Sequence, residues 1–383
     1  MRVAILGVGQ TSYEREKGIS LDELVFEATK NALEDSGLNL QEIESVVTAG
    51  SDGLDGRAIS NMTVSGSCGA YRKDEVKVSD GGIYGLVLAY LRVASGLFGN
   101  SLVVSWTKSS EVSPDTVGNL SFDPLYLREA GINPITYSAI QVSLYKHITG
   151  ARDEDAAKVV VKNRGNALKN PLSHLKRKPS VKEIKSSRFV SYPLREIHIP
   201  PESDGACALV ISSERWLKTR KKTGQKYAWI RGIGWSLEGY YRDEKKELVK
   251  LSSLRKAAKT AYKMAGIKNP AKEIDTAEVS DITAYHEIMI YEALGFCGDS
   301  EGIELVRKGV TEIDGELPVN PSGGILSSNP IFASSLVRVA EAALQVMGKA
   351  GERQVKGVNT ALAQGFTWSG TQGSCVVILD NRI

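Results

Sequence analysis

The chain has 383 residues, too many for one ordinary hydrophobic core, so two domains are the natural expectation. With 42% hydrophobic and 24% charged residues and no long polar tract, it is not a disordered chain. A net charge of +3 excludes a dedicated nucleic-acid binder, which would concentrate a far larger positive excess.

In chain order, Val3 to Gly9 is a β-branched run that reads as a first strand rather than a signal peptide. Its Gly7-Val8-Gly9 lacks the third glycine and the acidic ribose partner of a dinucleotide fingerprint, and reads as a tight strand exit. A helix follows from about Leu21 to Ser36: Ser20 and Glu23 form a capping box, Leu21, Leu24, Val25, Ala28, Ala32 and Leu33 make one apolar stripe, and Gly37 is the expected C′ residue. A strand around Val46 and Val47 comes next, then a loop holding Cys68, then Ser79-Asp80-Gly81-Gly82-Ile83 ahead of an apolar helix from Tyr84 to Ser95. The longest apolar stretch, Gly85 to Gly99, is broken by Arg92 and too short to cross a bilayer, so no membrane partner and a cytoplasmic location are expected. Ser101 to Trp106 reads as a fully buried strand.

Residues 111–200 hold helical stretches, Pro134 to Ile148 and Asp153 to Asn170, and a basic part from Asn170 to Lys185. A strand from Ser203 to Ile211 precedes a basic linker, Lys218 to Gly224.

The order then repeats. Ala228 to Gly234 is again a strand ending in Gly-Ile-Gly, followed by a helix with Leu254, Ala257, Ala258, Ala261 and Ala265 on one face and a stop at Gly266. Ser36-Gly37-Leu38 matches Ala265-Gly266-Ile267, and Glu42-Ile43-Glu44 matches Glu273-Ile274-Asp275. Ser79-Asp80-Gly81-Gly82-Ile83 matches Pro321-Ser322-Gly323-Gly324-Ile325, and each Gly-Gly pair precedes a long apolar helix, the second from Ala333 to Met347. The chain is therefore read as two copies of one α/β unit, residues 1–222 and 223–383, with residues 111–200 inserted in the first copy as a lid. The cysteines Cys68, Cys207, Cys297 and Cys375 are scattered without His at ligand spacing, so no metal site and no disulfide framework is expected.

This duplicated unit resembles the thiolase superfamily. Ser203-Asp204-Gly205-Ala206-Cys207-Ala208-Leu209-Val210-Ile211 is similar to that family's Ser-Asp-Gly-Ala-Ala-Ala-Leu-Val-Ile strand, and Asp314 to Gly324 to its Asp-Gly-x-x-Pro-x-Asn-x-Ser-Gly-Gly run. Glu287-Ile288-Met289 with Glu292-Ala293-Leu294-Gly295-Phe296 is similar to the helix after its His-Asp-Cys-Phe loop, and the whole resembles the sterol-carrier-protein, or acetyl-CoA acetyltransferase, branch. The resemblance implies an α/β fold of five layers, α-β-α-β-α, with pseudo-twofold symmetry. It also implies acyl-CoA as ligand without a resident cofactor, and a homodimer or larger assembly with the Ser101 to Trp106 strand at its interface. In that branch the partners are a hydroxymethylglutaryl-CoA synthase and a small zinc-ribbon/OB-fold protein.

Thiolase chemistry needs a thiolate to carry the acyl group, a base, and a second acid/base. Counted back without a gap from Val93-Ala94-Ser95-Gly96, the family's nucleophilic cysteine falls on Ser79, and with a one-residue slip on Asp80. The histidine of the His-Asp-Cys-Phe loop falls on Ser280, and that of the Cys-Gly-His-Pro loop near Asn329. All three positions read as degenerate, which points to an acyl-CoA-binding or assembly subunit without Claisen condensation or thiolysis of its own. The alternative is an active acyl-CoA C-acyltransferase with a relocated nucleophile, for which Cys68, His286, His147, His174 and His198 are the available groups. Ser322, Gly323, Gly324 and the basic Lys176-Arg177-Lys178 are the expected acyl-CoA contacts.

Overall fold

The computed structural model describes residues 1–220, 224–239, 247–367 and 370–382, and the expected junction at 222 and 223 lies outside the described residues. The first strand, β1 (Val3–Gln10), is buried along its length. Because successive side chains of a strand point to opposite faces, Val3 and Ile5 enter one core and Ala4 and Leu6 another. Helix α1 (Leu21–Ser36) begins on the reciprocal Ser20–Glu23 capping box, ends on Gly37 at φ +67°, and lays Leu24, Val25, Ala28 and Ala32 on the second of those cores. There follow β2 (Ser45–Ala49), β3 (Asp74–Val78), α2 (Gly82–Ala94) and β4 (Asn100–Thr107), the insertion helices α3 (Pro134–Thr149) and α4 (Asp153–Ala167), and β5 (Gly205–Ser213). The second half supplies β6 (Ala228–Leu237), α5 (Ser252–Ala265), β7 (Thr276–Glu278), α6 (Ala284–Ala293), α7 (Ile331–Met347), β8 (Thr360–Phe366) and β9 (Gly373–Asp380).

The strands join in the order β3-β2-β4-β5-β1-β6-β9-β8-β7, which reads the same from either end once β1 is matched with β6, β5 with β9, β4 with β8 and β2 with β7. The senses match as well. β4 meets β5 and β8 meets β9 antiparallel, β2 meets β4 and β7 meets β8 parallel, and the parallel Ala277–Val319 bridge stands where β3 stands in the first half. Helices α1 and α5 cover the outer faces, while α2 and α7 lie between the two half-sheets and share one core with both. This is a five-layered α-β-α-β-α arrangement. The central helices meet at their N-terminal turns, where the Ile83 N–H donates to Ser335 Oγ at 3.1 Å.

Two expectations change. Gly7 and Gly9 lie inside β1 rather than at its exit: a Cβ on Gly9 would stand 2.0 Å from the Ala28 carbonyl oxygen of α1. The counterpart Gly234 repeats the device, its added Cβ falling 2.2 Å from the Ala257 oxygen of α5, so each glycine pair lets a helix backbone close onto its strand. Likewise, β4 is buried because β2 and β5 flank it within the sheet, not because a second chain covers it. The open rim is β3, where Val76 is 40% exposed.

Candidate functional site

A cleft of about 190 Å³ opens beside the N-terminal turn of α7, walled by the insertion between Pro114 and Pro200, by the loop after β7 and by the end of β8. Ser280 and Asn329 both line it. Ser280 is bound to Gln364 of β8: its N–H donates to the side-chain Oε1 at 2.9 Å and its hydroxyl to the backbone carbonyl at 3.1 Å. Asn329 Oδ1 accepts the Ser334 hydroxyl at 2.8 Å, and its N–H donates to Ser203 Oγ at 3.1 Å. The Asn329 Nδ2 makes no hydrogen bond to a described residue, which leaves it as a donor beside the cleft.

Two loops hold these groups in register through buried carboxylates. Asp281 accepts the Ile325 N–H at 2.6 Å, the Leu326 N–H at 3.2 Å and Asn163 Nδ2 at 2.7 Å. Burial and the neighbouring Glu287 push its carboxyl up to about 8. Glu287 in turn binds Lys162 Nζ at 2.6 Å and Asn320 Nδ2 at 2.7 Å. Glu278 accepts the Ser322 N–H at 2.9 Å and the buried Arg338 guanidinium.

That network is why Ser322, Gly323 and Gly324 are not on the cleft. Ser322 is spent on Glu278 and Arg338, a Cβ on Gly323 would stand 2.7 Å from Ala167 Cβ, and one on Gly324 2.4 Å from Asp281 Oδ2. Both glycines hold positive φ, +103° and +66°, so the run is a tight structural turn rather than a ligand cradle. The basic stretch is also elsewhere: Lys176 Nζ donates to the Asn170 carbonyl and Arg177 pairs with Glu183 at 2.6 Å.

Ser79 is exposed and is not brought to the cleft. Asp80, the alternative position, is half-buried where α2 meets α7; its Oδ1 accepts the Gly81 N–H at 2.6 Å and burial pushes its carboxyl up to about 6. No cysteine lines the cleft. Cys68, Cys207 and Cys375 are buried, and burial pushes the Cys68 and Cys297 thiols up to about 12. Among the described residues no group of three or more His, Cys, Asp or Glu side chains could hold a metal ion, and no helix is long and apolar enough to cross a membrane.

The histidines divide. His147 is exposed on α3, and His198 is buried against Tyr285 with its pKa pushed down to about 4 by burial. His174 Nδ1 lies 2.9 Å from Ser203 Oγ, behind Asn329. His286 is buried directly behind cleft-lining Thr283, with Nδ1 2.8 Å from Thr283 Oγ1 and Nε2 3.1 Å from Gln141 Oε1. Thr283 and Gln141, the two side chains that hold the His286 ring, are the residues near the cleft that sequence reasoning did not single out. An N-cap threonine three positions before a histidine is a local signal that pairs the two, whereas Gln141 is a distant residue brought in by α3.

Residues 235–381 match the family model described as thiolase C-terminal domain-like. The acetyl-CoA acetyltransferase of Methanothermobacter thermautotrophicus is 26% identical over 99% of both chains. Sterol carrier protein 2 of Gallus gallus is 27% identical over 99% of this chain and 71% of its own. Among solved structures, the Ltp2-ChsH2(DUF35) aldolase superposes with a TM-score of 0.84 at 24% identity, covering 99% of this chain and 98% of that one.

Proposed function

We propose, from the premise that this chain belongs to the thiolase superfamily in its sterol-carrier-protein-type branch, that it binds acyl-CoA in this cleft without ever taking the acyl group onto itself. The observation that carries the reading is the absence of any thiol among the cleft-lining residues; Ser280 and Asn329, the residues that the family resemblance sets against its two histidines, both line that cleft and support it. Asn329 Nδ2 can donate to a thioester oxygen, the Ser280 hydroxyl proton is spent on the Gln364 carbonyl, and neither of these two side chains is a general base near neutrality. The purified protein is expected to show no acetoacetyl-CoA thiolysis above background from about pH 6 to 9, and Ser79→Cys to restore none, because that side chain points to solvent. Acetyl-CoA at about 100 times its Kd is expected to stabilise the fold by ~2.7 kcal/mol, read as a raised Tm. Turnover abolished by Cys68→Ser would establish the acyltransferase alternative instead, and no thermal shift would end the acyl-CoA reading.

A second reading concerns what the bound thioester undergoes. Cleavage of a β-hydroxyacyl thioester between its α and β carbons needs a base for the hydroxyl and donors for the thioester enolate, but no thiolate. The end-to-end likeness to the Ltp2-ChsH2(DUF35) aldolase favours it.

Assembly is proposed on two grounds. That aldolase is itself a two-component protein by name, which supports a hetero-partner here, and the family expectation of a hydroxymethylglutaryl-CoA synthase or a small zinc-ribbon/OB-fold protein gives its kind. The unpaired rim of β3, with Val76 exposed on it, is the edge through which two copies would continue one sheet. Light scattering at micromolar concentration should report a dimer, and a monomer would rule the homodimer out.

A further inference from the structure

We propose that Thr283 and His286 form the proton relay of the cleft, with His286 as the terminal acceptor and Gln141 as its positioning residue. The assignment rests on the reading of the cleft as a CoA-thioester site and names the base that carbon–carbon cleavage there requires.

The hydrogen bonds fix the direction of the relay. Gln141 Nε2 donates to the Leu248 carbonyl at 2.7 Å and to Thr371 Oγ1 at 3.1 Å, which turns Gln141 Oε1 toward the imidazole. An amide oxygen only accepts, so His286 Nε2 carries the proton of the 3.1 Å contact, and in the neutral imidazole Nδ1 keeps its lone pair. At 2.8 Å from that lone pair, the Thr283 hydroxyl donates to Nδ1. The arrangement of hydroxyl, imidazole and orienting acceptor is that of an activated hydroxyl backed by a base and an orienter. It is held rigidly, since Thr283 caps α6 and its Oγ1 also accepts the His286 N–H at 3.3 Å.

That cap bond distinguishes a relay from a nucleophile. Acylation of Thr283 would replace its donated proton with a bulky ester while Oγ1 still had to cap the helix. Passing a proton through leaves every heavy atom in place.

In the step itself, the β-hydroxyl proton of the thioester moves to Thr283 Oγ1 as the Thr283 proton moves to His286 Nδ1. The Cα–Cβ bond breaks, its electron pair passing into the thioester as an enolate, and the β carbon leaves as an aldehyde or ketone. The imidazolium then returns its proton through Thr283 to the enolate carbon, giving the shortened acyl-CoA and restoring the relay.

The test uses the full chain with 3-hydroxybutyryl-CoA and 3-hydroxy-3-methylbutyryl-CoA, following acetyl-CoA with acetaldehyde or acetone. His286→Gln and Thr283→Val are each expected to lower kcat by about 10²- to 10⁴-fold with KM little changed, and Thr283→Ser to retain most activity. A substrate-free readout accompanies it: nitrogen-15 spectra of labelled histidine should show His286 protonated at Nε2 and hydrogen-bonded at Nδ1, with the second feature lost in Thr283→Val. A proton on Nδ1, or unchanged kcat in His286→Gln, overturns the proposal. Thioester that binds to the wild-type protein but is not cleaved overturns it alone, whereas failure of either thioester to bind overturns the acyl-CoA reading and this assignment together.

Discussion

Arg338→Met is expected to lower the unfolding free energy by about 3–5 kcal/mol, the usual result of removing one partner from a buried ion pair. Arg338 is 2% exposed on α7, and its guanidinium binds Glu278 and donates to Ser322 Oγ at 2.7 Å. Methionine keeps most of the stem's volume, so little of the loss comes from packing. Glu278 would remain wholly buried; desolvation already raises its pKa, Arg338 opposes that rise, and Glu341 adds to it. Glu341 has its own cation, with Arg353 Nε at 2.7 Å, and does not lend it. Adding Glu278→Gln should return most of the lost stability, because a neutral pair needs no counter-charge. Urea unfolding at pH 7 measures both steps; a single variant within about 1 kcal/mol of wild type would show that water reaches Glu278 and that the pair is not the clamp holding the Ser322 turn under α7.

Much of this fold was legible because the repeated signals are local. Ser20 and Glu23 announce the start of α1, Gly37 and Gly266 the ends of α1 and α5, and the burial of β1 along its whole length follows from its apolar run. What was not legible depends on partners far along the chain. A Gly-x-Gly in a strand looks the same whether it marks a turn or a close helix crossing, and only the Ala28 oxygen over Gly9 decides. An apolar strand such as β4 looks the same whether its own sheet or a second subunit covers it. At the site, Ser280 and Asn329 fall on one cleft, whereas Ser322 to Gly324 lie off it, held by Glu278, Asp281 and Arg338, which are adjacent to them only in space. The gapless count to Ser79 identifies a residue, not which way its side chain points.

Asp80→Asn should stabilise the protein by about 2–3 kcal/mol at pH 7.5 and by about 1 kcal/mol at pH 4.5, water at its exposed edge trimming both figures. Burial raises the Asp80 carboxyl from 3.8 to about 6 in the folded chain. Between those values the folded state keeps a proton that the unfolded state has released, so the contribution of Asp80 to stability is highest below pH 4 and falls as pH rises through 6. Asparagine keeps an oxygen for the Gly81 N–H and carries no charge to desolvate, so its stability should lack that fall. Urea unfolding of both proteins at the two pH values separates the causes: an equal gain at both would come from packing rather than charge. A carboxylate that costs stability here, where the N-termini of α2 and α7 converge beside cleft-lining Ser335, is a candidate for a second role. Measuring acyl-CoA affinity of Asp80→Asn alongside decides whether that role is ligand binding, since a stabilised variant with weakened binding separates the two roles.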